Sequence, residues 1–585
     1  MTSTSERANT GNRRFRLQIS GMTCPSCELH VAEALREAGA AQVAADFRRG
    51  EAVFLFAGEP DPERLRAAVE GAGYHAGPLA PLAEPAERGG RDEPGERGER
   101  DEPNRRPGRP GKGDRYDLVV LGSGGAAFAA AIRASEAGAR VAMVERGTVG
   151  GTCVNVGCVP SKALLRAAEV YHLAAHPPFA GLRTRAEGVD VGALVAGKDA
   201  LVSRMRREKY TDLIEAYGWE LVAGEASFRD GERVVVRGPE GERVLEADRF
   251  LVATGARPAV PPVPGLEEAG FLTSTEVLAL DRLPRSVVVL GAGYVALELG
   301  QLLRRLGAEV TLMQRGPRLL RDQEPEIGEA LRRVLEGEGI RVRTGVQPVR
   351  VERTGAGRLV RYRPAGTGPA AEGAVEAEEV LVATGRLPHT EPLALARAGV
   401  ALGPRGGVQV DGGLRSSNPA IYAAGDVTGG PQYVYVAAHE GRLAAENALG
   451  LAHREVDLSV LPSVIFTDPS VASVGLTEAA ARQAGYDVRT AVLPLEAIPR
   501  ALVNRATTGL YKLVADASSG RLLGAHLLAE EAGEVIYAAS LAVRFGLTVA
   551  DLTDGLAPYL TMAEGLRLAA LAFDKEVNLL SCCAG

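Results

Sequence analysis

The chain has 585 residues, enough for about four domains, and its 46% apolar and 24% charged residues are the balance of a soluble globular protein. Lys+Arg number 67 against 74 Asp+Glu, a net charge of −7 that excludes a strongly basic nucleic-acid footprint. No apolar run reaches the ~18 residues of a membrane helix, and the opening MTSTSERANTGNRRF lacks the apolar stretch of a secretory signal, so a cytoplasmic protein without a membrane span is expected.

Residues 1–78 read as a small first domain. Strands are expected at 15–20, 42–47, 52–56 and near Tyr74, and helices at 28–38 and 62–72, a ferredoxin-like β-α-β-β-α-β order. The loop after the first strand carries Cys24-Pro25-Ser26-Cys27. Two thiols at this spacing can ligate one soft metal ion. The same spacing serves dithiol redox chemistry in thioredoxins, whose element order differs. Residues 79–114 are almost wholly Pro, Gly, Arg, Glu and Asp, cannot bury a core, and are expected to form a disordered tether.

From Tyr116 the pattern becomes strand, glycine loop, helix, strand, with elements expected at 116–121, 128–137 and 140–145. The loop Gly122-Ser123-Gly124-Gly125-Ala126-Ala127 fits G-x-G-x-x-A. Glycines there permit the tight turn and let backbone N–H groups approach a pyrophosphate at a helix N-terminus. Glu145, about 20 residues on, is placed for a ribose hydroxyl. The unit recurs with elements at 286–290, 297–306 and 309–314 around Gly291-Ala292-Gly293-Tyr294-Val295-Ala296. Its second strand closes on Gln314-Arg315, followed by Arg318 and Arg321. An acidic residue is replaced by cations suited to a 2′-phosphate, which favours NADPH over NADH. The last ~120 residues, from Leu461, mix strands and helices without a third nucleotide loop.

The six cysteines fall into three close pairs, Cys24/Cys27, Cys153/Cys158 and Cys582/Cys583, unlike a secreted disulfide framework. Cys153 and Cys158 lie between the nucleotide loops in GGTCVNVGCVPSK. Five residues apart on a regular helix their Cα atoms would sit ~8–9 Å apart, beyond the ~7 Å limit for a disulfide. A distorted helix is therefore expected, which Gly157 makes easy. A helix beginning near Pro160 would lower the Cys158 thiol pKa. Cys582 and Cys583 are adjacent, ~3.8 Å between Cα atoms, closer than the ~4.4 Å a disulfide usually needs. They are expected to persist as free thiols, good ligands for a soft cation, with a relay to an external disulfide as the competing use.

GGTCVNVGCVPSK, preceded by GSGGAA and followed by GAGYVALELG, VATGRLP at 382–388 and IYAAGDVTGG at 421–430, resembles the FAD-dependent pyridine nucleotide-disulfide oxidoreductases over residues 115–585. GMTCPSC resembles the heavy-metal-associated domains. The resemblance implies two Rossmann-like dinucleotide domains and an α+β dimerisation domain behind a ferredoxin-like metal domain. The implied boundaries are 1–78 heavy-metal-associated, 79–114 linker, 115–270 first FAD part, 271–386 NADPH, 387–460 FAD/central and 461–585 dimerisation with the Cys-Cys tail. It implies FAD contacts from Gly122, Gly124, Gly125, Ala127, Glu145, Gly147, Thr152, Lys162, Ala226, Gly425, Asp426 and Val434. NADPH contacts are implied for Gly291, Gly293, Arg315 and Arg318, and a Lys162–Glu298 pair beside the flavin.

Members of this family that reduce organic disulfides carry His-Pro-Thr-x-x-Glu near the C-terminus. Here that run is Tyr559-Leu560-Thr561-Met562-Ala563-Glu564, and no histidine follows His526. With PQYVYVAAHEG at 431–441 and the ending LLSCCAG, the chain is similar to the branch that reduces Hg(II). That likeness implies NADPH-driven reduction of Hg(II), ligated in turn by Cys24/Cys27, Cys582/Cys583 and Cys153/Cys158. It also implies Tyr210 and Tyr559 flanking the metal, and a homodimer whose tail thiols serve the partner subunit. A disulfide or dihydrolipoamide reductase and a non-catalytic metal buffer are the alternatives.

Overall fold

The computed structural model describes residues 12–21, 31–32, 34–46, 50–81, 115–366 and 372–579. The chain divides into two units, Met1–Pro103 and Asn104–Gly585. In the first, an antiparallel sheet runs in the order Ala41–Asp46, Glu51–Ala57, Asn12–Ser20, His75–Pro81. Alternation along Asn12–Ser20 buries Phe15, Leu17 and Ile19 against Val31, Leu35, Phe54, Leu65 and Val69, the period-2 signature of a half-buried strand. The helix Pro62–Gly71 starts where Asp61 accepts from the backbone of Glu63 and Arg64 and proline takes the first turn. The last strand, His75–Pro81, reaches three residues past the expected boundary at 78. Its prolines had the composition of a linker, but the strand lies at the sheet edge, where a missing N–H is tolerated.

The described residues of the second unit form three large sheets, beside a two-stranded and a three-stranded one. Strands Glu220–Ala223, Val141–Glu145, Arg115–Leu121, the end of Gly241–Val252 and Ile421–Ala423 run parallel, and two antiparallel strands extend the sheet through the start of Gly241–Val252. A second parallel sheet runs Arg341–Thr344, Glu309–Gln314, Ser286–Leu290, Glu379–Val382. Leu118–Leu121 and Val287–Leu290 are buried without alternation, as central parallel strands covered on both faces must be. The third sheet is antiparallel, in the order Ser463–Ile465, Ser470–Gly475, Leu522–Ala529, Leu510–Asp516, Val488–Pro494. The fold is thus α/β with two Rossmann-like domains and an α+β C-terminal domain, preceded by the ferredoxin-like domain.

The helices after the two glycine loops begin three residues earlier than expected, as Gly125–Glu136 and Tyr294–Leu306. The ends of the loops form the first helical turns. Gly124 and Gly293 are extended N-caps without a side-chain capping bond, leaving the first N–H groups directed at whatever lies in front of the loop. Among the described residues no helix is long and apolar enough to cross a membrane.

Candidate functional site

Gly122 and Gly291 take φ of +110° and +113°, which turns each chain sharply from strand to helix. A Cβ on Gly122 would come 2.4 Å from the Ala253 carbonyl oxygen, and one on Gly291 2.3 Å from that of Ala383. At Gly124 and Gly293 the situation inverts: a Cβ would meet nothing nearer than 3.9 Å in the first loop and nothing within 4 Å in the second. Each loop fronts an open cradle. Beside the first, Ser123 Oγ donates to Glu145 Oε2 at 2.5 Å and the Gly147 N–H donates to Glu145 Oε1 at 2.7 Å. Glu145, Ala226, Thr254 and His389 line one cleft with Gly122. The second loop carries Arg315, exposed, and Arg318, whose guanidinium donates to the carbonyls of Arg321 and Gln323.

A short helix and a long one meet at the cysteine pair. Gly151–Val156 ends at Gly157, and Cys158–Ala175 begins immediately after it. A Cβ on Gly157 would lie 2.8 Å from the Thr152 carbonyl oxygen, so only glycine lets the chain fold back there and bring Cys153 to Cys158. The segment sits on the first glycine loop. The Gly150 N–H donates to Ser123 O and Oγ, both at 3.1 Å, and a Cβ on Gly151 would stand 2.6 Å from Gly124 Cα. Thr152 lies inside the first short helix.

Both thiols are free and half-buried. The hydrogen bond from Cys153 lowers Cys158 to about 7 against the opposition of burial, with the Lys162 ammonium as a further favourable charge. The same bond, with burial, pushes the Cys153 thiol up. Cys158 is thus the more readily ionised thiol of the pair and Cys153 the less. Lys162 Nζ donates to Glu298 Oε2 at 2.7 Å, joining the cysteine helix to the helix of the second glycine loop.

Tyr210 stands in a π-turn, Arg207–Thr211, between two α-helices. This turn re-aims one side chain without ending the helix. Its ring meets Phe128 edge-on at 4.8 Å, and burial together with the two cysteines raises its pKa. Asn155, between the cysteines in sequence, donates to the carbonyls of Val149 and Gly151 at 2.9 Å and accepts from Arg206 at 3.1 Å. The start of the π-turn is therefore tied to the cysteine segment. Gly425 donates to the buried Glu440 at 2.7 Å, burial raises Asp426, and Val434 begins a helix over Gly125. Sequence reasoning placed Ser123 in the first glycine loop without its bond to Glu145, and passed over Glu440 and the Asn155–Arg206 link. Ser123 and Glu440 lie inside segments already singled out, but their pairing partners are remote in the chain. Tyr559 is 56% exposed, and Cys24, Cys27, Cys582 and Cys583 lie outside the described residues.

Residues 116–441 match the family described as pyridine nucleotide-disulphide oxidoreductase, 461–570 its dimerisation domain, and 16–75 the heavy-metal-associated domain. Over 574 residues the chain is 53% identical to a mercuric reductase of Staphylococcus aureus, covering 98% of this chain and 99% of that one. The chain belongs to the mercuric reductase branch of this oxidoreductase family. A mercuric reductase of Bacillus cereus is 50% identical over 581 residues, covering 99% of this chain and 89% of that one. Among solved structures, the Cu(II) complex of the HOCl-induced flavoprotein disulfide reductase RclA from Escherichia coli superposes with a TM-score of 0.71. It is 29% identical, covering 78% of this chain and 99% of that one. Mercuric reductases of this family are flavoprotein oxidoreductases, and membership implies FAD and a nicotinamide dinucleotide. The open cradles at Gly124 and Gly293, each facing uncapped helix N–H groups, fit two pyrophosphates.

Proposed function

We propose that the chain catalyses NADPH-dependent reduction of Hg(II) to Hg(0). The carrying observation is the Cys153/Cys158 pair at a helix break beside the Lys162–Glu298 ion pair, in a chain whose likeness to mercuric reductases runs its whole length. Gly122, Gly124, Gly125, Ala127, Glu145, Gly147, Thr152, Ala226, Gly425, Asp426 and Val434 would hold FAD, with Lys162 balancing negative charge beside it. Gly291 and Gly293 would hold the pyrophosphate of NADPH, with Arg315 and Arg318 toward the 2′-phosphate. When bound, FAD supplies the two-electron relay from NADPH to the disulfide and then to thiolate-held Hg(II).

The protein's part is ligand exchange. Hg(II) would enter as a bis-thiolate, pass to Cys582 and Cys583 of the partner subunit, and then to Cys153 and Cys158. Each exchange swaps one thiolate for another, so the soft ion is not released to water. Cys158 is the stronger ligand at neutral pH because Cys153 and Lys162 stabilise its anion. Tyr210 and Tyr559 would line the path of the ion, and Hg(0) leaves because the neutral atom binds thiolate poorly. Cys24 and Cys27 would collect Hg(II), with residues 79–114 as the tether that raises its local concentration. The arrangement calls for a homodimer built on the C-terminal domain. A cytoplasmic setting would supply both NADPH and reduced thiols.

The test is NADPH oxidation driven by Hg(II) in excess small thiol, with trapping of volatile mercury, beside assays with glutathione disulfide and lipoamide. Hg(0) in proportion to NADPH, with little disulfide turnover, is the expected result. Fast disulfide turnover without Hg(0) would sink the proposal.

A further inference from the structure

A short segment of the C-terminal domain lies along one face of the helix Tyr294–Leu306. Glu298, Gln301 and Arg305, spaced three and four residues apart, share that face. Glu298 Oε1 accepts the Phe466 backbone N–H at 3.0 Å. Gln301 exchanges two hydrogen bonds of 2.8 Å with the backbone of Asp468, and Arg305 Nη1 reaches the Asp468 carboxylate at 2.7 Å. Arg305 is braced in turn by Glu338 at 2.6 Å. These bonds hold the backbone on both sides of Thr467, the stretch from which the Phe466 ring projects.

That ring belongs to none of the apolar cores among the described residues and is 46% exposed. Its defined neighbour is a cation. Lys162 Nζ lies 4.6 Å from the ring centroid while donating to Glu298 Oε2 at 2.7 Å. The ammonium is therefore held by a carboxylate and by an aromatic face, and the same residue that supplies the face also bonds the carboxylate's other oxygen. Lys162 follows Cys158 by four residues on one helix, one turn away.

We propose that Phe466 is a positioning residue of the redox site, its ring and backbone N–H together holding the Lys162 ammonium beside Cys158. The role rests on the reaction proposed above. Two electrons and one proton convert the Cys153–Cys158 disulfide into one thiol and one thiolate. An ammonium fixed one turn away favours that added negative charge, and one free to wander favours it less. A residue of the dimerisation domain thereby sets how readily a site in another domain is reduced.

The experiment uses the full-length, FAD-loaded enzyme under anaerobic conditions. Phe466→Leu keeps the backbone N–H and apolar bulk but removes the aromatic face. Phe466→Tyr keeps both. The two-electron midpoint potential is read by equilibration with NADPH/NADP⁺ mixtures, and the rate of reduction by stopped-flow mixing with NADPH. For Phe466→Leu the equilibrium constant for reduction falls about fivefold, ~20 mV more negative for a two-electron couple. Reduction slows by a similar factor, while FAD content and melting temperature stay at wild-type values. Phe466→Tyr restores both readouts, and Phe466→Leu has no further effect on potential in a Lys162→Met background. A wild-type potential in Phe466→Leu, or an equal shift in the Lys162→Met background, overturns the role. Failure of NADPH to reduce the wild-type cysteine pair would instead overturn the reaction itself, and this role with it.

Discussion

The two glycine loops are built to one plan and differ in how the following strand ends. Both turn through a glycine with φ near +110°, both cap a helix with an extended glycine, and both leave open space where a Cβ would project. The first strand ends on Glu145, held by Ser123 and the Gly147 N–H. The second ends on Gln314 and the exposed Arg315. In the proposed reading the shared part would hold a pyrophosphate through backbone groups, which any sequence with the right glycines can present. The differing part would read what hangs on the ribose, which needs a particular side chain. Between them stands the cysteine segment, seated on the first loop and tied by Lys162–Glu298 to the helix of the second.

The strongest way to test this division of labour is to remove what the loops serve. Cys158→Ser is expected to lower Hg(II)-dependent turnover by at least about a thousandfold. Equilibrium dialysis should still find FAD and NADPH bound, because neither cradle uses the thiol. Lost nucleotide binding would mean the loops and the pair are not separable.

Gly124→Ala and Gly293→Ala sharpen the comparison. Each methyl group meets little in the protein but enters a cradle, so each variant should fold normally. Nucleotide affinity should drop by about tenfold or more, ~1.4 kcal/mol per factor of ten. The first variant should emerge poor in FAD, and the second should show a raised KM for NADPH with its flavin intact. The reverse assignment would overturn the reading of which loop holds which nucleotide.

Arg315→Glu addresses the side that differs. Replacing a cation by an anion should shift the ratio of kcat/KM for NADPH over NADH toward NADH by about tenfold, ~1.4 kcal/mol. An unchanged ratio would show that Arg315 is only a solvated surface charge.

The smallest effect concerns pH. Cys158 is lowered to about 7, so its thiolate fraction rises as pH increases through that value and is lost below it. Alkylation of the reduced pair by iodoacetamide should fall to about half its plateau rate near pH 7. A midpoint above pH 8 would mean that Cys153 and Lys162 do not stabilise the anion.

The strands 286–290 and 309–314 coincide with the observed elements, because uninterrupted apolar runs bounded by glycine loops leave few other readings. The early helix starts lie inside the glycine motifs, where Gly124 and Gly293 are extended N-caps and the three residues after each already form the first helical turn. The break between the cysteines was legible from helix geometry alone. The π-turn that aims Tyr210 was not, since Arg-Glu-Lys-Tyr-Thr is an ordinary helical sequence.

Local sequence alone settled the groups that act through neighbours in the chain: the two glycine turns, the cysteine pair and the residues that end each following strand. Their chemistry depends on spacings of a few residues, which covalent geometry limits to a few conformations. Which charges and rings surround them follows from the packing of the domains. Lys162 and Glu298 are 136 residues apart, and Phe466 is a further 168 along. Contacts over such separations form when three domains bury their apolar faces together, and no local spacing records that packing.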